Sequence, residues 1–311
     1  MSLLVVGESL VDVVERRTGV VGRHPGGSPA NVAVGLARLG HEVTLATRIG
    51  DDPDGTLLRR HLEADGVRLA PGSVVAARTS TATATLDETG AATYTFDLDW
   101  QLPAVDLSGV RHVHAGSIGA ALPPGGEAVR RLVTDAASAG ISTSYDPNLR
   151  PALIGTADVE RPAVEQLVDT VDVVKASDDD LAWLYADARG PGEPIAAASG
   201  WARRGPRLVV LTRGAEGALV WLRGYADAPL SVPAPRVAVV DTVGAGDAFM
   251  AGLLSGLIDA GLIAAAASPQ PSARTGDWRP DDVRPALLRA LRVSALTCAR
   301  PGADPPRRAE L

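Results

Sequence analysis

The 311-residue chain has a single lysine, Lys175, among its 30 basic residues. A P-loop requires a lysine directly after its glycine-rich turn, whereas Lys175 follows Val173-Val174, so that nucleotide site is excluded. No His-Arg-Asp catalytic loop occurs, which excludes the protein-kinase arrangement. One cysteine, Cys298, rules out an intrachain disulfide and any multi-cysteine metal centre. It lies on an Ala/Leu-rich helical pattern and reads as a core residue. The five histidines, His24, His41, His61, His112 and His114, lack metal-ligand spacing. Aromatic residues make up only 4%, so the core must be built from Val, Leu and Ala. No apolar run approaches the length of a membrane span, and residues 1–7 are too short for a signal h-region. A cytoplasmic chain with no membrane partner is expected. The formal net charge of −7 argues against a nucleic-acid partner.

What is present is a globular composition, 46% hydrophobic and 22% charged. The apolar run at 3–6, ended by Gly7, predicts a buried first strand. Residues 11–21 are β-rich, and within 73–100 the run 79–86 is Thr-rich and 91–96 alternates, with turns expected near Arg17-Thr18-Gly19 and Asp87-Glu88-Thr89-Gly90. They predict a small exposed sheet, a lid inserted at about 11–23 and 73–100 into one domain spanning 1–311. From residue 110 the pattern becomes repeated βα units. Strands are expected at 111–115, 141–146, 171–175, 207–212 and 217–222, with helices near 127–139, 163–168, 178–185, 195–203 and 283–299. Such alternation predicts an α/β fold with a mostly parallel sheet covered on both faces, and ligands outside the carboxyl ends of its strands. Residues 264–280, rich in Ala, Pro and Ser, read as a surface loop.

Two glycine-rich stretches carry the chemistry. The run Asp241-Thr242-Val243-Gly244-Ala245-Gly246-Asp247 follows the apolar residues 237–240 and leads into a helical pattern from Ala248. It reads as strand, glycine turn and helix N-terminus, whose unpaired N–H groups and dipole attract an anion. A carboxylate there, Asp247, sets proton abstraction beside charge stabilisation, the pairing phosphoryl transfer needs. On these residues alone, a tight turn with a helix-start aspartate explains the run equally well. Gly26-Gly27-Ser28-Pro29-Ala30-Asn31 offers a small-residue turn and an amide that both donates and accepts, suiting a polyhydroxy ligand. A helix start with Pro29 in its first turn is the plainer alternative.

Together the two stretches resemble the motifs of the ribokinase-like (PfkB) carbohydrate kinases. The N-terminal family pattern is met by Gly26, Gly27, Asn31, Gly40 and Gly50, and the C-terminal Asp-Thr-x-Gly-Ala-Gly-Asp pattern is met in full at residues 241–247. The resemblance implies a three-layer α/β/α sandwich with a β lid, and an ATP-dependent sugar kinase. Asp247 is then the implied base, with the amides of Gly244, Ala245 and Gly246 as the anion hole. Asp12, Gly26, Gly27, Asn31, Phe96 and Arg150 are implied sugar contacts. Lys175, Asn148, Thr212, Gly214, Gly217, Gly244 and Gly246 are implied ATP contacts. The family's Asn-x-x-Glu element, associated with Mg2+, falls on Ser177-Asp178-Asp179-Asp180, which makes Asp180 the implied magnesium residue; a helix cap explains the same residues. Asp241 and the loop 297–302 correspond to a monovalent-cation site, with K+ a further implied cofactor.

Lys175-Ala176-Ser177-Asp178, Asp146-Pro147-Asn148-Leu149-Arg150 and Arg300-Pro301-Gly302-Ala303 look most like fructokinases, converting D-fructose to fructose 6-phosphate. Ribokinase and 2-keto-3-deoxygluconate kinase are the rivals, and a carboxylate-bearing sugar would call on Arg16, Arg17 or Arg23. A nucleoside would call on aromatic stacking, for which Tyr94, Phe96 and Trp100 are the nearby groups. His114, at a strand end, reads more readily as core than as a pocket residue. A catalytically silent sugar-binding regulator would be favoured by loss of Asp247 or a hole glycine, and all are present. A nicotinamide enzyme would place its Gly-x-Gly-x-x-Gly after an early strand. The exposed lid sheet would also offer a homodimer interface.

Overall fold

The computed structural model describes residues 2–16, 19–75, 77–86, 92–187, 190, 192–225, 228–264 and 278–311. The turns expected at 17–18 and 87–90, and most of the loop expected at 264–280, lie outside the described residues. Among these described residues, nine strands form one sheet, in the order Leu230–Val232, Ala218–Leu222, Leu208–Thr212, Val173–Ser177, Ser142–Asp146, Val110–Gly116, Ser2–Val6, Glu42–Ala46, Arg68–Leu69. The seven from Leu208–Thr212 to Arg68–Leu69 run parallel, and the two at the other edge are antiparallel. Alternation along each strand divides the core in two. Leu3, Val5, Val173 and Val210 meet one helical layer, and Leu4, Val6, Val113, Val174 and Leu211 meet the other. The α/β/α sandwich expected from the residues is what forms.

The helix Ala245–Asp259 is buried from Asp247 to Leu257 and lies between Ser28–Arg38 and Pro280–Cys298. Small residues let these helices approach closely. A Cβ on Gly35 would stand 2.6 Å from the Ala251 Cβ, one on Gly252 2.8 Å from the Ala290 Cα, and one on Gly256 2.4 Å from the Ala286 Cα. Phe249, Met250, Leu253, Leu254 and Leu257 complete the packing, each worth roughly 1.5–3 kcal/mol when fully buried. The first turn of this helix is therefore held rigidly.

A separate four-stranded sheet has the order Gly19–Gly26, Leu10–Arg16, Thr81–Leu86, Ala92–Asp97. Val11 and Val13 on one of its faces are buried with Ile49 and Leu58. The β-rich stretch at 11–21 thus resolves into two strands. A larger departure concerns residues 237–240, read as a strand. None forms there, and Val237, Val239 and Val240 are exposed; the segment is tied instead to the end of Pro280–Cys298, where Val240 N–H donates to the Cys298 carbonyl at 2.8 Å. Apolar character marked a segment lying along the surface, and not a core strand. Among the described residues no helix is long and apolar enough to cross a membrane.

Candidate active site

The parallel strands end in a row of short loops: Gly7-Glu8-Ser9, Gly116-Ser117, Asp146-Pro147-Asn148, Ser177 and Thr212. Over them stands the N-terminus of Ala245–Asp259, with Gly244 as its N-cap at φ 73 and Asp247 in its first turn. The side chain of Asp247 is 6% exposed and tightly held. Ser28 Oγ donates to its Oδ1 at 2.6 Å, Asn31 Nδ2 to its Oδ2 at 2.8 Å, and Asn148 Nδ2 approaches Oδ1 at 3.4 Å. Both glycine-rich stretches therefore meet on one carboxylate. Gly27, at φ 104, makes this possible, since a Cβ there would lie 2.7 Å from the Glu8 carbonyl oxygen.

Of the expected anion-hole amides, Ala245 N–H is turned back onto the Thr242 carbonyl at 3.2 Å. Gly246 faces the ammonium of Lys175, which would stand 3.1 Å from a Cβ at that position. Lys175 is buried and bonded to Asp146 Oδ2 at 2.8 Å. Burial pulls the Lys175 pKa down, but Asp146, Asp180 and Asp247 outweigh it and the net direction is up. Burial raises Asp146 to about 6 despite the opposing ammonium.

Asp180, the implied magnesium residue, is engaged by its own neighbours. Its Oδ1 accepts Leu149 N–H at 2.7 Å, and its Oδ2 accepts Ser177 N–H at 2.9 Å and Ser177 Oγ–H at 2.7 Å. With Ser177 it forms a capping box on Asp178–Leu184. The shorter arm of aspartate brings its carboxylate back onto its own helix start.

The nucleotide-like turn is a 3-10 segment, Gly214–Glu216, flanked by Gly217 at φ 94. A Cβ on Gly217 would lie 2.1 Å from the Val232 carbonyl. Asp241 accepts Val243 N–H at 3.0 Å and Gly302 N–H at 2.8 Å, bonds that lower its pKa. It thereby ties the glycine turn to the loop after Pro280–Cys298.

On the small sheet, His24, Asp12, Ala82 and Phe96 are register partners and so share one face. Asp12 is exposed there, close to the Gly26 backbone and within electrostatic reach of Arg150. Although the residue is exposed, crowding by neighbouring atoms partly desolvates its carboxylate and raises the Asp12 pKa, while His24 and Arg150 oppose the shift. Arg150 folds onto Asn148, donating to its Oδ1 at 2.7 Å. Arg23 is the register partner of Val13, on the opposite face, and is paired with Asp54. Arg17 and the side chain of Arg16 lie outside the described residues. Trp100 is buried, its indole N–H bonded to the Gly119 carbonyl, whereas Tyr94 and Phe96 are exposed and stacked at 6.2 Å. His112 and His114 are core residues, joined through Ser144.

Three features escaped sequence reasoning. Ser28 was legible only as part of a turn, and Asp146 only as part of a loop. Glu8, 5% exposed, accepts Gly119 N–H at 2.8 Å and is raised to about 7, first by its burial. An isolated glutamate after a strand has no pattern that would single it out.

A ribokinase-like sandwich with a carboxylate at a glycine-rich helix N-terminus defines a carbohydrate kinase. The pfkB family carbohydrate kinase profile matches residues 2–309, and the chain belongs to that family. It is 36% identical over 268 residues to a fructokinase of Rhizobium leguminosarum bv. trifolii, covering 82% of this chain and 79% of that one. A fructokinase of Escherichia coli is 35% identical over 266 residues, with 83% and 85% covered. Among solved structures, fructokinase with bound ATP from Xylella fastidiosa superposes with a TM-score of 0.78 at 25% identity, covering 97% of this chain and 93% of that one. A fructokinase double mutant from Vibrio cholerae O395, in fructose, ADP and potassium ion bound form, gives 0.73 at 27% identity, with 97% and 93% covered. The protein is an ATP-dependent sugar kinase.

Proposed function

We propose that the protein is a fructokinase, transferring the γ-phosphoryl group of ATP to the 6-hydroxyl of D-fructose. The observation that carries the reading is the Asp247 carboxylate, held by Ser28 and Asn31 beside the Gly244–Gly246 turn. Oδ2 retains a lone pair after accepting the Asn31 bond, so Asp247 can take the proton of the attacking hydroxyl there. The new sugar O–P bond forms as the bond to ADP breaks. Gly246, Gly244 and, once released from Thr242, Ala245 direct N–H groups at the transferring oxygens, while Lys175 supplies fixed positive charge below them.

Asp12, Asn31, Arg150 and the Gly26-Gly27 backbone hold the sugar, with Phe96 covering it from the same face as Asp12. Closure of the small sheet excludes water as a competing acceptor. Thr212, Gly214, Gly217 and Asn148 line the nucleotide, and the exposed Val239, Val240 and Val243 offer its base an apolar surface. Mg2+ entering with ATP supplies charge neutralisation across the phosphate oxygens. The residues fit such an ion, since the Asp146 carboxylate is buried beside the Lys175 ammonium with its Oδ1 unpaired among the described residues. K+ at the Asp241 loop would rest on backbone carbonyls, because the Asp241 carboxylate already accepts two N–H groups. The exposed edge strand Ala92–Asp97 supports a homodimer through the lid, which sedimentation would measure.

The second acceptor to test is 2-keto-3-deoxygluconate, because Arg150 stands beside Asp12 and could meet a carboxylate. The test is ADP production with Mg-ATP over fructose, 2-keto-3-deoxygluconate, ribose, tagatose and a nucleoside. Fructose is expected to be fastest, and Asp247→Ala to lose about 100-fold or more in kcat while still binding ATP. Undiminished turnover in that variant would remove Asp247 as the base.

A further inference from the structure

We propose that Asp146, and not Asp180, is the carboxylate that faces the nucleotide-bound divalent cation, acting through one of the metal's waters. The inference rests on the kinase reading above and concerns which residue of this chain carries the metal requirement.

The stretch aligned with the family's metal element ends in Asp180, one methylene shorter than the usual glutamate. Three donors converge on its two oxygens: Leu149 N–H, Ser177 N–H and Ser177 Oγ–H. It is 6% exposed. Those bonds fix the 146–150 loop and start a helix, and turning the carboxylate toward a metal would break both.

Asp146 is placed differently. It is 1% exposed, at the end of the strand Ser142–Asp146, with Oδ2 bonded to Lys175. Its Oδ1 is buried and has no hydrogen-bond partner among the described residues. An orphaned carboxylate oxygen is among the costliest buried groups, and a bound water or ion is the usual reason one persists. Lys175, its one partner, reaches the space left by the missing side chain of Gly246, so Asp146 lies one ammonium away from the phosphate turn. Asp146, Asp180 and Asp247 all act electrostatically on that single ammonium.

Among the described residues no group of three or more His, Cys, Asp or Glu side chains forms a metal cage. That suits Mg2+, which keeps several waters and needs only one or two carboxylates beside the substrate phosphates. A carboxylate holding a metal-bound water typically contributes 10- to 100-fold in metal affinity.

The test needs no turnover. A non-hydrolysable ATP analogue is titrated calorimetrically into the full chain with and without Mg2+, and the ratio of the two affinities is read. The wild-type protein should bind more tightly with Mg2+. Asp146→Asn should lose about tenfold or more of that gain with metal-free affinity retained, and Asp180→Asn should keep it. Because Asp146→Asn leaves the Lys175 ammonium buried without its partner, the double variant Asp146→Asn/Lys175→Met is measured alongside, with circular dichroism as the check on folding. The ratio cancels any direct contribution of Lys175 to nucleotide binding. A full Mg2+-dependent gain in either Asp146 variant, or its loss in Asp180→Asn alone, would overturn the assignment. A wild-type gain of nil would overturn it too while leaving the kinase reading standing. Absence of any analogue binding would overturn both.

Discussion

Ser28 and Asp247 are 219 positions apart in the chain, yet the Ser28 hydroxyl donates to Asp247 Oδ1 at 2.6 Å. With Asn31 on the other oxygen, the carboxylate is held in one orientation before any ligand arrives. Ser28→Ala should therefore lower kcat by about 10- to 100-fold, since a hydrogen bond to a charged group is worth roughly 1.5–3 kcal/mol. Asn31→Ala should lower kcat and raise the sugar KM together, because Asn31 is also a proposed sugar contact. Steady-state kinetics on fructose separates the two; an unchanged kcat in Ser28→Ala would show that the bond does not survive substrate binding.

Two glycines of the same turn should respond oppositely to alanine. Gly244 has φ 73 and a Cβ there would meet the Ala303 Cβ at 2.6 Å, so Gly244→Ala should lower Tm by several degrees. A Cβ at Gly246 would meet, among the described residues, the end of the Lys175 side chain at 3.1 Å. Gly246→Ala should leave Tm nearly unchanged and reduce ATP affinity and kcat. Thermal melts with nucleotide titration would expose the reverse ordering.

Glu8 imposes a pH signature on stability. Its carboxyl is raised from 4.5 to about 7 by burial, so the folded state keeps a proton that the unfolded state releases from about pH 4.5 upward. Its contribution is fully present below pH 4.5 and declines as pH rises, levelling off above about 7, a loss of about 3 kcal/mol from 1.36 kcal/mol per unit. His112 and His114, lowered to about 3 by burial, act with the opposite sign on acidification. Urea unfolding of the wild-type protein and Glu8→Gln at pH 5 and pH 7.5 isolates Glu8. The stability of wild type relative to the variant should be lower at pH 7.5 than at pH 5, and a difference independent of pH would refute the buried-acid account.

The lid row makes a separable prediction. Asp12→Ala should raise the fructose KM at least tenfold with the ATP KM unchanged, and Phe96→Ala should raise both the sugar KM and ATP hydrolysis in the absence of sugar. The second effect follows because the cover that excludes water is thinned. Phosphate release measured without sugar checks it; no rise would mean that Phe96 does not close the site.

Much of this was open to reading from the chain. Glycine, alanine and aspartate in consecutive positions at 241–247 encode a backbone shape within a few residues, so the turn and its helix were legible. So were the βα units, because burial on both faces leaves continuous apolar strands. The run 237–240 misled for the same reason, since apolar residues on a surface segment look like a buried strand until their exposure is known. Asp180 was legible both as a metal residue and as a cap, and the hydrogen-bond geometry shows the cap to be formed.

The sequence by itself determined the fold class, the two glycine turns and the identity of the carboxylate between them, because each depends on local backbone preference or periodicity. The tertiary structure alone decided that Ser28 meets Asp247, that Lys175 stands beneath Gly246 beside Asp146, and that Arg23 points away from Asp12. Those pairings follow from strand register and from how closely glycine-lined helices approach. A one-residue slip of register would reverse every face of the small sheet.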